Sequence, residues 1–391
     1  MGQPPQASQR NPVLAVCVAL GLAAAWALPF VRVAPNRLLS GEAVFLLDLL
    51  QGPALAWVVV ALAALAWAAL HPQHRVTQNL VATGMAALLA LLWLQAAAHA
   101  SAVVQTQSAL HRTALGAGFW CLIALTWLAC LDAVGRLGLK PLHRLTVLTL
   151  ATLPLVSVVA LGWGQDLSIL KEYANRSDVF GAAVLRHLQI VVLSVVPAVL
   201  LGLPLAWAMT RTPRLRQVMF PVLNVIQTLP SIAVFGLLMA PLAWLASSYP
   251  ALARAGISGV GLAPAVLALV LYSLLPIARS ALAGLEQVPV AATTAAKAMG
   301  MDAWQLFWQV ELPLALPVLM VGLRTAVVQT IGLTAVTALV GAGGLGALMF
   351  DGLFSAANEL VVLGVLPIVL MAVLADAAFK ALTAVLEKTP A

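Results

Sequence analysis

The 391-residue sequence has few charged residues, since Asp, Glu, Lys and Arg together make up only 8% of it. Soluble globular proteins carry roughly 25% charged residues, which cover the surface that faces water. Hydrophobic residues reach 63%, and the mean hydropathy is +1.03. The shortage of charge excludes a soluble enzyme of this length and indicates a protein whose solvent is largely lipid.

Motifs for cofactors and metals are missing as well. The three cysteines, Cys17, Cys121 and Cys130, all lie in apolar runs, which argues against disulfides and a zinc site. No G-x-x-x-x-G-K-[ST] sequence occurs, so we expect no ATP bound through a P-loop and no cofactor on this chain. The six histidines are scattered at or near predicted loop ends, where solvation at the interface is the simplest expectation.

Long apolar runs dominate what is present. A helix needs about 20 apolar residues to cross a bilayer core about 30 Å thick. The sequence therefore predicts an all-α polytopic membrane protein with about ten transmembrane helices. The predicted spans are residues 12–31, 53–70, 79–99, 114–131, 145–163, 187–209, 218–243, 262–282, 314–339 and 359–380.

The basic residues predict the orientation of these spans. With a cytoplasmic N-terminus, 12 of the 20 Lys and Arg residues fall inside and seven outside, and Arg324 remains within a span. Because cytoplasmic loops carry an excess of Lys and Arg, both termini are expected in the cytoplasm. The same rule explains the net charge of +7 without nucleic acid.

Composition divides the chain into two regions. Residues 1–179 are Ala/Leu-rich and hold about five predicted helices, whose role the sequence leaves open. Residues 180–391 carry Pro, Gly, Gln, Thr and Tyr at membrane depth. Such residues are unfavourable in lipid unless they face protein or water, so we expect the functional core, of five helices, in residues 180–391.

The cytoplasmic loop 283–313 contains helix signals. Its Ala-rich stretch, residues 290–299, favours a helix, and Gly300 is suited to end it in a left-handed conformation. Asp302 is a good N-cap for a second short helix. The sequence therefore predicts two short helices joined at Gly300.

Aromatic residues follow on the second of these helices. Trp304, Phe307 and Trp308 have helical spacing and are predicted to share one stripe. The stripe suits two roles equally: docking a cytosolic partner, or lying at the lipid headgroups, where Trp is common.

Four motifs, in their order along the chain, resemble one protein family. They are IQTLPS at 226–231, LYSLLPI at 271–277, Ala295-Ala296 with Gly300 and Leu312-Pro313, and GAGGLG at 341–346. Together they resemble binding-protein-dependent ABC importer permeases of the glycine betaine and choline (osmoprotectant) type, in a long form with extra N-terminal spans. The resemblance covers residues 180–380.

The resemblance implies an ATPase-coupling site in the cytoplasmic loop. Its residues would be Thr294, Ala295, Ala296, Gly300, Asp302, Trp304, Phe307 and Trp308. Thr294 stands where the loop of this family carries a glutamate. Docking would then depend more on shape and on the aromatic residues.

The translocation pathway is expected at three sequence positions. The candidates are Gln227, Thr228, Pro230 and Ser231, then Tyr272 and Pro276, then Gly341, Gly343 and Gly344. For the first two groups a structural kink satisfied by a neighbouring helix is the alternative. GAGGLG matches the dinucleotide-binding fingerprint, but an apolar span precedes it rather than a strand, which favours a flexible turn near the outer mouth.

The resemblance implies the permease subunit of an ATP-driven importer for small osmoprotectants in the bacterial inner membrane. The implied partners are cytosolic ABC ATPase subunits that bind the ATP, a periplasmic or lipid-anchored substrate-binding protein, and a second permease copy or paralogue, within membrane lipid. One alternative is an ion-coupled secondary transporter, with Arg324, Asp376 and Glu359 as candidate relay residues. Another is a membrane scaffold without transport.

Overall fold

The computed structural model describes residues 11–36, 39, 41–50, 60, 63–65, 67–68, 75–139 and 141–386. The chain forms two compact units, residues 1–175 and 176–391. The span predicted at 53–70 lies outside the described residues except for isolated positions, and so do the basic residues Arg10, Lys140 and Lys388.

The first unit has six helices whose bounds the described residues give. They are α1 (Pro12–Ala27), α2 (Leu46–Leu49), α3 (Arg75–Thr106), α4 (Ala117–Arg136), α5 (Pro141–Ala160) and α6 (Ser168–Asn175). Asn11 caps α1, because its Oδ1 accepts a hydrogen bond from Leu14 N at 3.0 Å. Asn11 Nδ2 donates to Asp132 Oδ2 at 2.7 Å, which ties the start of α1 to the end of α4.

A small antiparallel sheet, which the sequence did not predict, lies at the other end of these helices. Its strands are β1 (Val31–Ala34), β2 (Glu42–Val44) and β3 (Arg112–Leu115), in the order β2-β1-β3. Val31 pairs with both Val44 and Leu115. The predicted span 12–31 is therefore too long: its helix ends at Ala27 and its last residue belongs to the sheet.

The second unit contains ten helices among its described residues. They are α7 (Ser177–Arg211), α8 (Pro213–Thr228), α9 (Ser231–Ser248), α10 (Pro250–Arg254), α11 (Leu262–Glu286), α12 (Val290–Ala298), α13 (Ala303–Leu306), α14 (Leu312–Thr334), α15 (Leu345–Phe354) and α16 (Asn358–Leu386). A π-helical segment, Phe307–Glu311, joins α13 to α14, and a 3₁₀ helix, Val336–Val340, follows α14.

Helix α11 is the centre of the second unit and packs along both α7 and α14. Small residues allow the close approach. A methyl group on Gly202 of α7 would lie 2.8 Å from the Ile277 side chain, and one on Gly322 of α14 would lie 2.5 Å from the Pro276 carbonyl oxygen. In a membrane, where lipid tails compete with apolar side chains, such close backbone packing holds helices together.

The predicted fold class is confirmed: among the described residues, seven helices are long and apolar enough to cross a membrane. Two details differ. The predicted span 218–243 is interrupted at Leu229-Pro230, both in extended backbone, since the proline ring disfavours helical geometry at Leu229. The predicted span 314–339 leaves the α-helix at Thr334, and the sequence missed α15 altogether.

The packing of α15 gives a first testable prediction. A methyl group on Gly346 would lie 1.9 Å from the Ala335 carbonyl oxygen, so Gly346→Ala should destabilise the chain by about 1–3 kcal/mol through overpacking. The measurement is thermal unfolding of the purified chain in detergent. Gly332→Ala is the matched control, because nothing lies within 4 Å of the added methyl and alanine favours the helix. Equal midpoints for the two variants would contradict the packing argument.

Candidate functional site

The loop 283–313 contains two short helices joined at Gly300, where the sequence predicts them. Gly300 has φ +84°, and Met301 N donates to Ala296 O at 3.2 Å while Gly300 N donates to Lys297 O at 3.0 Å. This pair of bonds is the Schellman motif, which ends a helix with a left-handed residue. The turn therefore requires glycine for its backbone conformation.

Asp302 begins the second helix with a reciprocal cap. Its Oδ1 accepts from Trp304 N at 2.9 Å and from Gln305 N at 2.8 Å, and Gln305 Oε1 accepts from Asp302 N at 3.0 Å. All of these groups lie on one short turn, so the cap fixes α13 directly after Gly300. We call residues 290–311 the docking segment.

The aromatic stripe predicted on this segment is split between two environments. The Trp304 and Trp308 side chains are 63% and 47% exposed, with ring centroids 5.4 Å apart. Phe307 is 6% exposed and packs edge-to-face on Trp207 of α7 at 5.5 Å. Successive helix residues point about 100° apart, so the boundary between surface and interior passes between Phe307 and Trp308.

The other coupling candidates also differ in exposure. Thr294, Ala295, Gly300 and Asp302 are exposed, whereas Ala296 is buried. The surface of the docking segment therefore offers the Thr294 side chain, the backbone at Gly300 and the two tryptophans, whereas Ala296 lies on the inner side of α12.

Hydrogen bonds with α11 stabilise the break between α8 and α9. Gln227 Nε2 donates to Tyr272 O at 2.6 Å, and Tyr272 OH donates to Leu229 O at 2.6 Å. Tyr272 is 4% exposed, so its ring is packed in the core in this conformation and is not offered to a ligand. A kink satisfied by a neighbouring helix, the alternative for these residues, describes Gln227 and Tyr272 well.

The rest of the break presents polar groups on the surface of the unit. Thr228 and Pro230 are exposed, and Ser231 is half-buried. Asn224, one turn earlier on α8, is exposed and accepts a hydrogen bond from Arg279 Nη2 at 3.0 Å. Lipid disfavours polar side chains at membrane depth, so this face of α8 is suited to contact protein or water.

The glycine loop 341–346 joins the 3₁₀ helix to α15. Gly341, Gly343 and Gly344 have φ values of +81°, +82° and +81°. A helix precedes the loop where a dinucleotide site needs a strand, so the loop is a turn between helices, as the sequence favours. Gly341 is exposed and Gly344 is buried.

Two residues of α7 that the sequence did not single out hold this loop. Arg186 Nε donates to Ala342 O at 3.0 Å. His187 has no exposed surface, its Nε2 lies 3.0 Å from Ile331 O, and Gly344 packs on its ring. A carbonyl only accepts, so Nε2 carries the proton. The expectation of a solvated histidine is therefore wrong for His187.

An ion triad links α14 to α16. Arg324 Nε lies 2.5 Å from Asp376 Oδ1, and Lys380 Nζ lies 2.8 Å from Asp376 Oδ2. Arg324 is thus paired within the unit instead of extending alone toward the cytoplasm. Pairing is the usual state of ionisable residues in membrane helices.

No metal site is found in the described ranges, because no group of three His, Cys, Asp or Glu side chains there could hold an ion.

The second unit is therefore a bundle of long apolar helices, interrupted at Leu229-Pro230, with two short capped helices joined at Gly300. Residues 198–389 match the family described as the binding-protein-dependent transport system inner membrane component. Residues 9–170 match the N-terminal domain of ABC transporter permease YehY.

Two curated relatives, OsmW and OpuCD, agree with this assignment. The osmoprotectant import permease protein OsmW of Salmonella typhimurium is 39% identical over 191 residues, which cover 49% of this chain and 84% of OsmW. The glycine betaine/carnitine/choline transport system permease protein OpuCD of Bacillus subtilis is 41% identical over 192 residues, 49% of this chain and 77% of OpuCD. The inward-facing MetNI methionine ABC transporter aligns with a TM-score of 0.43 at 22% identity, over 52% of this chain and 95% of that one.

The chain therefore belongs to the family of inner membrane components of binding-protein-dependent transport systems. It is a multi-pass inner membrane protein, and the family resemblance expected from the four motifs is confirmed.

The triad gives a second prediction. Asp376→Asn leaves both Arg324 and Lys380 without their carboxylate, and should destabilise the chain by about 1–2 kcal/mol, because two partly exposed ion pairs of up to about 1 kcal/mol each are lost together. Thermal unfolding in detergent measures this change. Asp351→Asn is the control, because its pair with Arg176 is exposed and should contribute less than about 1 kcal/mol. Recovery of stability in the Asp376→Asn/Arg324→Gln double variant would support the argument, and no recovery would contradict it.

Proposed function

We propose that the chain is the permease subunit of an ATP-driven importer for small osmoprotectants, with glycine betaine and choline as the expected substrate class. The names of OsmW and OpuCD support the substrate class. The observation that supports coupling to ATP is the docking segment, two capped short helices with two exposed tryptophans on a chain whose sequence has no P-loop.

The proposed partners follow from this arrangement. Cytosolic ABC ATPase subunits would bind the docking segment and hold the ATP, so the permease itself needs no cofactor. A periplasmic or lipid-anchored binding protein would deliver substrate to the outer side. A second permease copy or paralogue would cover the polar face of α8 around Asn224 and Thr228, leaving a water-filled path between the two.

Neutral Thr294 makes docking depend on shape. Without the glutamate of related loops, the exposed surface of α12 contributes Val290, Thr294 and Lys297. Burial of Trp304 and Trp308 against the ATPase would then supply most of the binding free energy, as large aromatic side chains do at interfaces. We propose that ATPase closure moves the docking segment and, through it, α14 against α11.

The orientation belongs to the same proposal. An ion pair between Arg216 and Glu286 ties the start of α8 to the end of α11, directly before the docking segment. The basic residues Arg211, Arg214 and Arg216 therefore lie at the end of the unit that carries the docking segment. The excess of basic residues supports a cytoplasmic location for this end, with both termini in the cytoplasm.

A variant of the docking surface tests ATPase binding. Trp308→Asp should abolish copurification of the ATPase subunit with the detergent-solubilised permease, because it places a charge in an apolar contact. Trp308→Phe, which keeps an aromatic ring, should retain copurification. Gly300→Pro should also lose it, since proline cannot adopt a φ of +84°. If all three variants retain the ATPase, the docking segment is not the binding site.

Uptake separates the importer from ion-coupled transport. The permease is reconstituted in liposomes with its ATPase inside and its binding protein outside, and uptake of radiolabelled glycine betaine and choline is measured. We expect uptake that requires internal ATP and withstands a protonophore and a sodium ionophore. Uptake that continues without ATP and collapses with an ionophore would establish the secondary transporter, and no uptake of either compound would reject the substrate class.

A further inference from the structure

An unbroken series of aromatic contacts runs from the docking surface to α7. The Trp304 and Trp308 centroids are 5.4 Å apart, those of Trp308 and Phe307 5.3 Å, and those of Phe307 and Trp207 5.5 Å, all edge-to-face. The guanidinium carbon of Arg211 then lies 4.3 Å from the centre of the Trp207 ring. Edge-to-face pairs contribute about 0.5–1.5 kcal/mol each beyond burial, so the contacts are specific in geometry.

Trp207 takes part in this series through ring contacts. Its indole Nε1 is buried and has no hydrogen-bond partner in the described part of the structure. A buried indole normally finds a partner, and leaving one unsatisfied is unfavourable. The interactions that the structure gives this ring are instead its contacts with Phe307 and Arg211.

The backbone beside Phe307 is not a regular α-helix. Residues Phe307–Glu311 form a π-helical turn, in which Leu312 N bonds to Phe307 O. Such turns are rare inside α-helices and are frequent at functional sites. The π-helical turn therefore connects α13 to α14. The contact of Phe307 with Trp207 provides a second connection, to α7.

The end of α7 that carries Trp207 is separated from the rest of the helix by a proline. Pro204 has no N–H to donate to Leu200 O, so the helix is weakened one turn before Trp207. Beyond the proline, Ala206 and Met209 are buried in the apolar cluster that α7 shares with α8, α11 and α14. A displacement of Trp207 would therefore reach the helices that flank the polar face of α8.

We infer that the contact between Trp207 and Phe307 transmits movement of the docked ATPase to the cytoplasmic end of α7, which makes both side chains positioning residues for transport. This inference rests on the proposed function. In this arrangement Trp304 and Trp308 serve ATPase binding, whereas Phe307 and Trp207 serve the coupling of ATP hydrolysis to substrate movement.

The test measures coupling separately from binding. The reconstituted importer is assayed for glycine betaine transported per ATP hydrolysed, and for the amount of ATPase bound. Trp207→Leu and Phe307→Leu should each lower the transport ratio by about 3- to 10-fold while ATPase binding stays unchanged. The double variant should be no worse than either single one, because both remove the same contact. Trp207→Phe, which keeps a ring, should restore most of the ratio.

Controls make each outcome decisive. Trp244→Leu, at an exposed site on α9, should leave the ratio unchanged. An unchanged ratio in Trp207→Leu and Phe307→Leu overturns the inference, and so do additive losses in the double variant. If Trp207→Leu does not assemble, Phe307→Leu and Arg211→Gln decide by the same ratio. If the unmodified chain shows no ATP-driven uptake, the proposed function itself is wrong. If the unmodified chain transports substrate and the variants keep its ratio, only the inference is wrong.

Discussion

Satisfaction of backbone polar groups in lipid is the constraint on which the rest of the structure depends. Water is absent from the bilayer core, so a helix that breaks there must find its hydrogen bonds within the protein. The second unit breaks its helices twice and meets the requirement in both places with side chains from neighbouring helices. Tyr272 of α11 donates to Leu229 O at the α8–α9 break, and Arg186 of α7 donates to Ala342 O in the glycine loop. Each break thereby becomes a contact between spans, and α11 and α7 acquire their central positions partly for this reason.

The same constraint separates what could be predicted from what could not. Apolar length and charge distribution predicted the polytopic fold, because each long span satisfies its own backbone. Gly300 and Asp302 predicted the docking turn, since their caps are local in sequence. The sheet of the first unit depends on pairing Val31 with Leu115. The hydrogen bond from Tyr272 to Leu229 O at the α8–α9 break joins residues 43 positions apart. Such partners share no local signal, so a single sequence does not reveal them.

The errors at His187 and Arg324 have a common cause. The sequence position alone indicates a solvated histidine for His187, near a predicted loop end, and an isolated charge within a span for Arg324. Both instead have partners on other helices: Ile331 O for His187, and Asp376 for Arg324. In a chain with only 8% charged residues, a charge within a span is more safely assigned by searching for an opposite charge on another span. Asp376 was present in the sequence and had itself been considered for an ion relay.

Pairing within the triad also bears on the mechanism. A relay residue for a transported ion must exchange its proton or cation during the cycle, whereas Asp376 here has one cation on each carboxylate oxygen. The free energy that holds this triad together opposes such exchange, and the group that joins α14 to α16 is better suited to keep the two helices in register. The docking segment differs from this triad, because it is π-helical at Phe307–Glu311 and exposes Trp304 and Trp308. There Trp308 lies on the surface while the adjacent Phe307 packs inward on Trp207, so the exposed surface and the helix core meet at neighbouring residues.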